Sequence, residues 1–526
     1  MQGQEMNSVQ SPILKLSNEI LSHIFTYVRE NRPRPLPYGE LRDCDNGLED
    51  TKNARLVCRR FCGASSHLLI NTVSVSMASS SLTRLDHISC HPLIAKGVRK
   101  VRVVLDFFAS EVEEDFNQFL FNQHQQMYHI IPWDYRTDGL RTLSREDADL
   151  EAAAKKKIRK FLSTWNKLEL INQNNIPNNE DSTSEVGLDD EDRANTLLIG
   201  RSYELYRHAY LEQERVRTDG SFVRKIACMI AKMPVARSLC IMDSGMDARP
   251  QAVSIARLMN SPNLLIEKFA RPMTWIDSQE LGIGTQPIEL LSQIPLAIHK
   301  AGVMLTDVNY QITPVENFSR LFTCDDDLSG LRDAMRQLTD FTFSPGIVPY
   351  FAAFINGAEM SYFKKFVEAF TDTDSLQGIA IHVVLSGWDG TITTLTTGSL
   401  LSTRTWSQLR RASFGGPLQF EELEKFYAKT QGLVDISLKG VYLASGSWAD
   451  VLDIMRANSQ RGFIYGPSGA ECDTVSEEQD ISEEQENTVN TVFEGFPSSM
   501  AQLYIRNKIP HNPLRALEEM GNQGVA

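Results

Sequence analysis

The sequence has no long apolar run, no excess of positive charge and few cysteines for its length. No uninterrupted apolar stretch approaches the roughly 18 residues of a membrane-spanning helix. The formal net charge of −14 argues against nucleic acid or an anionic membrane as the main ligand. Eight cysteines are scattered over 526 residues, a usage typical of reduced thiols inside a cell.

The N-terminal region also lacks the pattern of a secretory signal. Glu19, His23 and Arg29 interrupt the only hydrophobic stretch among residues 1–30, and no basic region precedes it. We therefore expect a protein of the cytoplasm, the nucleus or both, with no membrane and no nucleic acid among its partners.

A recognisable catalytic or cofactor-binding constellation is likewise missing. The ten histidines are dispersed, and no GxSxG, HExxH or Cys–His nucleophile context occurs. Cys58 and Cys62 lie four residues apart and could supply half of a metal site, but no second pair at zinc-like spacing lies nearby. We expect a non-catalytic protein without cofactor or metal. An enzyme whose site is assembled from scattered residues is the alternative.

Length and composition divide the chain into several expected units. A chain of 526 residues exceeds what one core accommodates, so roughly two to four folding units are expected. Two polar, acidic stretches hold too few apolar residues to form a core and are expected to be disordered. The expected units are a disordered N-terminus (1–11), a helical module (12–72), a linking region that begins the larger domain (73–235) and contains an acidic disordered insertion (173–194), a repeat domain (236–470), an acidic disordered loop (471–490) and a C-terminal tail (491–526).

Two short amphipathic helices are predicted near the N-terminus. The first spans 13–28, where Ser17 is a suitable N-cap and Glu19 lies in the first turn. A loop with three prolines follows, and a second helix is predicted over 51–70. Helices of this length bury little surface by themselves, so they require a partner or the rest of the chain.

This pair of helices resembles an F-box. Residues 16–28 read LSNEILSHIFTYV and residues 56–61 read LVCRRF, which match the two halves of the family pattern in order. Ser17 stands where proline is usual, and a serine cap can replace proline at a helix entry. The loop between the halves is longer than in the compact module. Residues 82–103 are also similar to F-box proteins of the filamentous-fungal type.

The resemblance implies docking onto a Skp-type adaptor protein and, through it, a cullin of a ubiquitin ligase. The apolar positions would divide between the core of the module and the surface that faces the adaptor, with Glu19 and Arg59 at the rim. The alternative is that these residues only attach the helices to the following domain. The adaptor-binding residues implied are Leu16, Glu19, Ile20, Leu21, Ile24, Phe25, Val28, Leu56, Val57, Cys58, Arg59 and Phe61.

A six-residue unit, apolar-x-x-apolar-x-apolar, recurs in the C-terminal half. From Leu305 the successive units begin 33, 38, 33 and 24 residues apart, and amphipathic helical patterns fill the gaps. Strand-then-helix units of this length resemble a leucine-rich repeat, although the usual asparagine is missing and phenylalanine replaces many leucines. An irregular α/β domain whose strands share the pattern by chance is the alternative. The units begin at Ala236, Leu305, Leu338, Leu376, Leu409 and Leu433.

The combined prediction is a mixed α/β protein: a small all-helical F-box module followed by an irregular leucine-rich-repeat-like solenoid of short strands and helices. Its expected function is the substrate-recognition subunit of a Skp–cullin–F-box ubiquitin ligase. A non-catalytic interaction scaffold outside any ligase is the alternative. The protein substrate and its binding residues are not identified, although side chains that alternate with the buried set on the later strands are candidates. These candidates are Arg410, Arg411, Ser413, Asp435, Ser437 and Lys439.

Overall fold

The computed structural model describes most of the chain in separate stretches. The expected disordered segments 1–11 and 471–490, and 175–187 of the acidic insertion, lie outside them. The residues described are 12–30, 47–125, 145–174, 188–243, 260–313, 315, 317–322, 325–344, 357–383, 404–430, 432–458, 461–470, 491–495 and 498–517.

A small group of helices comes first. Ser17 accepts a hydrogen bond from the Ile20 backbone N–H at 3.4 Å, which supports its predicted role as a cap. Cys58 separates two helices, and its sulfur accepts from the Phe61 N–H. The elements are a 3-10 turn Pro12–Lys15, α1 (Asn18–Glu30), α2 (Leu48–Val57), α3 (Arg59–Ser65) and a second 3-10 turn, Ser66–Leu68.

The rest of the described chain is built on one open, wholly parallel sheet. The first nine strands lie side by side in chain order, and a short tenth strand also pairs with the eighth. The predicted mixed α/β class is therefore confirmed. The strands are β1 (Thr72–Ser76), β2 (Lys100–Val104), β3 (Ser238–Met242), β4 (Asp307–Gln311), β5 (Asp340–Ser344), β6 (Gly378–His382), β7 (Arg411–Gln419), β8 (Asp435–Ser445), β9 (Arg461–Tyr465) and β10 (Ser468–Gly469).

Helices connect successive strands. Parallel strands that add in one direction through right-handed crossovers place their connections on the same face of the sheet. The described helices after the first module are α4 (Ser79–Cys90), α5 (Ser110–Glu114), α6 (116–125), α7 (Arg145–Asn174), α8 (Asp190–Thr218), α9 (Ser221–Ala231), α10 (Pro262–Phe269), α11 (Trp275–Glu280), α12 (Leu290–Lys300), the 3-10 turn Phe318–Leu321, α13 (Asp325–Ala334), α14 (Gly357–Thr371), α15 (Phe420–Lys429), α16 (Trp448–Asn458) and α17 (Met500–Ile505), with further short helical segments at 491–493 and 513–517.

The six predicted units correspond to β3 through β8. From β1 to β9 the strands share a five-residue register, and the second and fourth positions are buried in every one of them. These positions, such as Leu239 and Ile241 in β3, contribute to one large hydrophobic core together with the helices. We call the opposite face, formed by the first, third and fifth positions, the inward face.

Aromatic rings fill the centre of this core, as the frequent phenylalanines of the sequence units indicate. Tyr310 of β4 contacts Phe370 of α14 with ring centroids 5.3 Å apart, and Phe341 of β5 lies 5.0 Å from the same ring. Phe343 and Phe363 meet at 4.9 Å. These rings pack the strands against the helices that connect them and fill the centre of the core.

The predicted disorder of the acidic insertion 173–194 is wrong at both ends. Asn174 ends α7, and α8 begins at Asp190 with a capping box between Asp189 and Asp192. The Asp192 carboxylate is fully buried, 2.6 Å from Lys167 Nζ. An acidic composition therefore does not mean disorder here, because lysines of α7 compensate the buried charge.

Two other regions contribute to the sheet and its core. In the region 73–235, β2 continues the sheet that β1 begins, and the same core extends through both. Residues 491–526 are not merely a tail. Ile505 of α17 is fully buried against the end of the sheet, and Asn512 donates to the Ala449 carbonyl at 2.8 Å. This segment covers the last strands, where a solenoid would otherwise expose its apolar core.

Candidate functional site

The first helix, α1, has two different apolar faces. Leu21 and Phe25 point into the module and are almost completely buried. Ile20 and Tyr27 lie more than about 100° away around the helix and are exposed, with Tyr27 69% accessible. Val28 lies on the same side as Leu21 but at the end of the helix, where it is 37% accessible. One face therefore supplies a core and the other remains uncovered.

The helical module has a hydrophobic core of its own. Its buried members are Leu21, Phe25, Phe61 and Ala64, and they form a cluster distinct from the large core of the sheet. Phe25 and Phe61 meet edge to face with centroids 5.1 Å apart. The two halves of the sequence motif thus fold against each other.

Polar contacts also join the two halves. Arg60 donates to Asn18 Oδ1 at 2.9 Å and to the carbonyls of Leu14 and Leu16. A side chain at Gly47 would collide with the Val28 carbonyl, so the start of α2 lies against the end of α1. The long loop in the sequence therefore leaves the halves adjacent.

Several large apolar side chains of this module face outward. Leu56 is 85% accessible and Val57 66%, although both occupy the end of a helix. Scattered exposed apolar residues are common, but seven within the described part of one small module, counting Ile13 and Leu14 of the first 3-10 turn, form an unusual concentration. We call Ile20, Tyr27, Val28, Leu56 and Val57 the exposed apolar set.

The remaining residues of the predicted adaptor-binding group are partly buried or exposed. Leu16, Ile24 and Cys58 are partly buried, whereas Glu19 and Arg59 are exposed. Backbone hydrogen bonding at the start of α1, followed by the Ser17 hydroxyl, lowers the pKa of Glu19.

Tyr27 was not among the predicted adaptor-binding residues. Its position seven residues after Ile20 is the signal that could have included it, because that spacing returns to the same side of a helix.

The module is held closely against the sheet. A side chain at Gly97 would collide with the His67 carbonyl, and the backbone N–H groups of Arg99 and Lys100 both donate to the Asn71 carbonyl. These contacts join the chain after α3 to the start of β2. The end of the module therefore lies beside the first two strands of the sheet.

The inward face of the sheet is mostly polar. Arg411 of β7 binds Asp340 of β5 at 2.6 Å across the intervening β6. Gly378 occupies that crossing point in β6, and any side chain there would collide with the Asp340 carboxylate. The glycine thus makes room for an ion pair that spans three strands.

A partly buried histidine lies further along the same face. His382 Nε2 is 2.9 Å from Ser413 Oγ. Burial, and secondarily the charge of Lys439, lowers the pKa of His382 to about 4, so its ring is neutral near pH 7. The ring adds no positive charge to this surface.

Within the described residues, no group of three or more Cys, His, Asp or Glu side chains has the arrangement of a metal site. The described helices also include none that is long and apolar enough to cross a membrane. A comparison with protein-family models gave no match, and a comparison with curated proteins gave none either.

Proposed function

We propose that this protein is the F-box subunit of a Skp–cullin–F-box ubiquitin ligase and selects a protein target for it. The observation that carries the proposal is the exposed apolar set on a module that already has its own core. Side chains such as Leu56 and Val57 contribute nothing to that core and lower the solubility of the free chain. A Skp-type adaptor that covers them would bury this surface.

The sheet is proposed to be a leucine-rich-repeat-like solenoid that holds the target. Support comes from the sequential order of the parallel strands, the open edge and the repeated burial pattern. The chain itself would contribute no catalytic group. It would increase the rate of ubiquitin transfer by proximity, because the target and the ligase are held in one assembly.

The contacts of the module with the sheet suit this role. Proximity gives a large rate effect only when the two bound partners keep a defined geometry. The close approach of Gly97 to His67 and the shared Asn71 carbonyl restrict rotation between the two parts. Truncation of a central anchor in a protein interface typically costs more than about 2 kcal/mol, so a few residues of the exposed apolar set should dominate adaptor binding.

The test is co-precipitation of the adaptor with surface variants of the full chain. Leu56→Asp with Val57→Asp should abolish recovery of the adaptor, since a carboxylate cannot be buried in an apolar contact. Both residues are exposed in the free chain, so the fold should remain intact. Leu197→Asp with Leu211→Asp is the matched control, because these α8 side chains are 66% and 60% accessible.

Equal recovery of the adaptor by wild type and by the Leu56/Val57 variant would contradict the proposal. Loss of recovery by the α8 control would show a general effect of surface charge instead. The cullin should appear in the same precipitate as the adaptor. Its consistent absence would favour the scaffold alternative.

A further inference from the structure

The exposed side chains of the inward face are concentrated at one end. The shared register from β1 to β9 gives each strand three positions on this face, and most of their side chains are wholly or partly buried. Among the described strands, only four of these positions carry exposed side chains: Arg411, Lys439, Arg461 and Tyr465. We call them the basic–aromatic patch.

The patch is positively charged on a protein whose formal net charge is −14. Lys439 and Tyr465 are direct register partners on β8 and β9. Arg411 is paired with Asp340, whereas no described residue forms an ion pair with Lys439 or Arg461. Lys439 therefore lies beside the exposed Tyr465 ring, and Arg461 lies at the start of β9 next to Asp435 of β8, so both cations are available to a ligand.

A buried hydroxyl group on this face also lacks a hydrogen-bond partner among the described residues. The Ser437 hydroxyl lies at the third position of β8, between Ser413 and Phe463 on the neighbouring strands. Its oxygen is buried, and it makes no hydrogen bond within the described residues. An unsatisfied buried hydroxyl costs free energy, which an acceptor group on a ligand would recover.

We propose that the basic–aromatic patch binds a short acidic peptide segment. The assignment of that segment to a target protein rests on the proposed function. Three adjacent strands span about 10 Å, and the first and fifth positions of a strand lie about 13 Å apart. A segment of roughly four extended residues fits that area. Its carboxylates would meet Lys439 and Arg461, and an apolar side chain would cover the Tyr465 ring.

Acidic groups around the patch disfavour a long polyanion. Asp307, Asp340 and Asp435 occupy the first positions of β4, β5 and β8 on the same face. A nucleic acid presents a phosphate at every nucleotide and would be repelled beyond the patch. A peptide with two or three carboxylates places its charge only where the cations lie.

The test is fluorescence anisotropy of a labelled peptide, Gly-Ser-Asp-Glu-Leu-Glu-Ser-Ser-Gly, with the purified full chain. Lys439→Glu combined with Arg461→Glu should weaken binding at least tenfold, because two attractions become repulsions. The control carries the same change of charge on the helices of the opposite face, Lys365→Glu with Lys425→Glu, and should bind within about twofold of wild type. Binding should also weaken as salt is added.

Three results would overturn the proposal. They are equal binding of the peptide in which Asn and Gln replace Asp and Glu, equal loss of binding in both variants, and tighter binding of an oligouridine of the same charge than of the acidic peptide. Adaptor recovery is measured on the same samples. If the peptide binds and the adaptor does not, the docking proposal alone fails. If the adaptor binds and the peptide does not, only the ligand assignment fails.

Discussion

The Asp106 carboxyl group allows a direct test of how much a buried charge lowers the free energy of unfolding of this protein. Asp106 lies two residues after the end of β2, and its Oδ1 atom is buried without a hydrogen-bond partner among the described residues. Burial, reinforced by the neighbouring Asp243 carboxylate, raises the pKa of Asp106 to about 6, and Arg271 only partly opposes the change. We predict that Asp106→Asn stabilises the protein at neutral pH.

The magnitude follows from the pKa. A folded-state pKa of about 6 against an ordinary value near 4 corresponds to roughly 3 kcal/mol. Because the folded pKa is the higher one, the wild type keeps its full stability below about pH 4 and loses this amount as the pH rises to about 6. Asparagine does not ionise, so the variant should gain up to about 3 kcal/mol over wild type at pH 7.5 and little at pH 4.

The assay is urea unfolding followed by helical circular dichroism at both pH values. Asp190→Asn is the control, because the Asp190 side chain is 99% accessible and its removal should change stability by less than about 0.5 kcal/mol. If the Asp106 variant were destabilised by the same amount at both pH values, a lost packing or hydrogen-bonding role would replace the charge explanation.

Two further predictions concern contacts between elements of the fold. Gly97→Ala should lower the melting temperature by several degrees, because the added carbon collides with the His67 carbonyl, whereas Gly63→Ala meets open space in α3 and should have no effect or stabilise slightly. For Asp192, the hydrogen bond from Lys167 is the largest of the contacts that lower its pKa. The wild type should therefore lose stability as the pH falls below about 4, and Asp192→Asn should show less of this loss in a thermal melt.

The positions of the strands could be predicted from the sequence because burial alternates along them. Each unit from Ala236 to Leu433 contains the second and fourth apolar positions of a strand, and these are the positions that face the helices. The acidic insertion was misjudged for a physical reason. Composition counts the charge of Asp192 but does not show that Lys167, on another helix, lies 2.6 Å away.

The predicted adaptor-binding residues lie on the helices of the module, but the sequence pattern did not show which of them are exposed. Ile20 and Leu21 are neighbours in the sequence, yet Ile20 is 48% accessible and Leu21 is fully buried. Which of the two faces the core depends on where Phe61 of α3 packs, and spacing within α1 carries no information on that. Whether an adaptor covers the exposed residues stays a prediction.

The sequence by itself determined the alternation of strands and helices, because local periodicity records which side of each element must leave water. Tertiary structure alone decided the rest. It placed Lys439 beside Tyr465 through the parallel register of β8 and β9, and it brought Asp340 to Arg411 across Gly378. Such contacts depend on the order and register of strands, which no local pattern specifies.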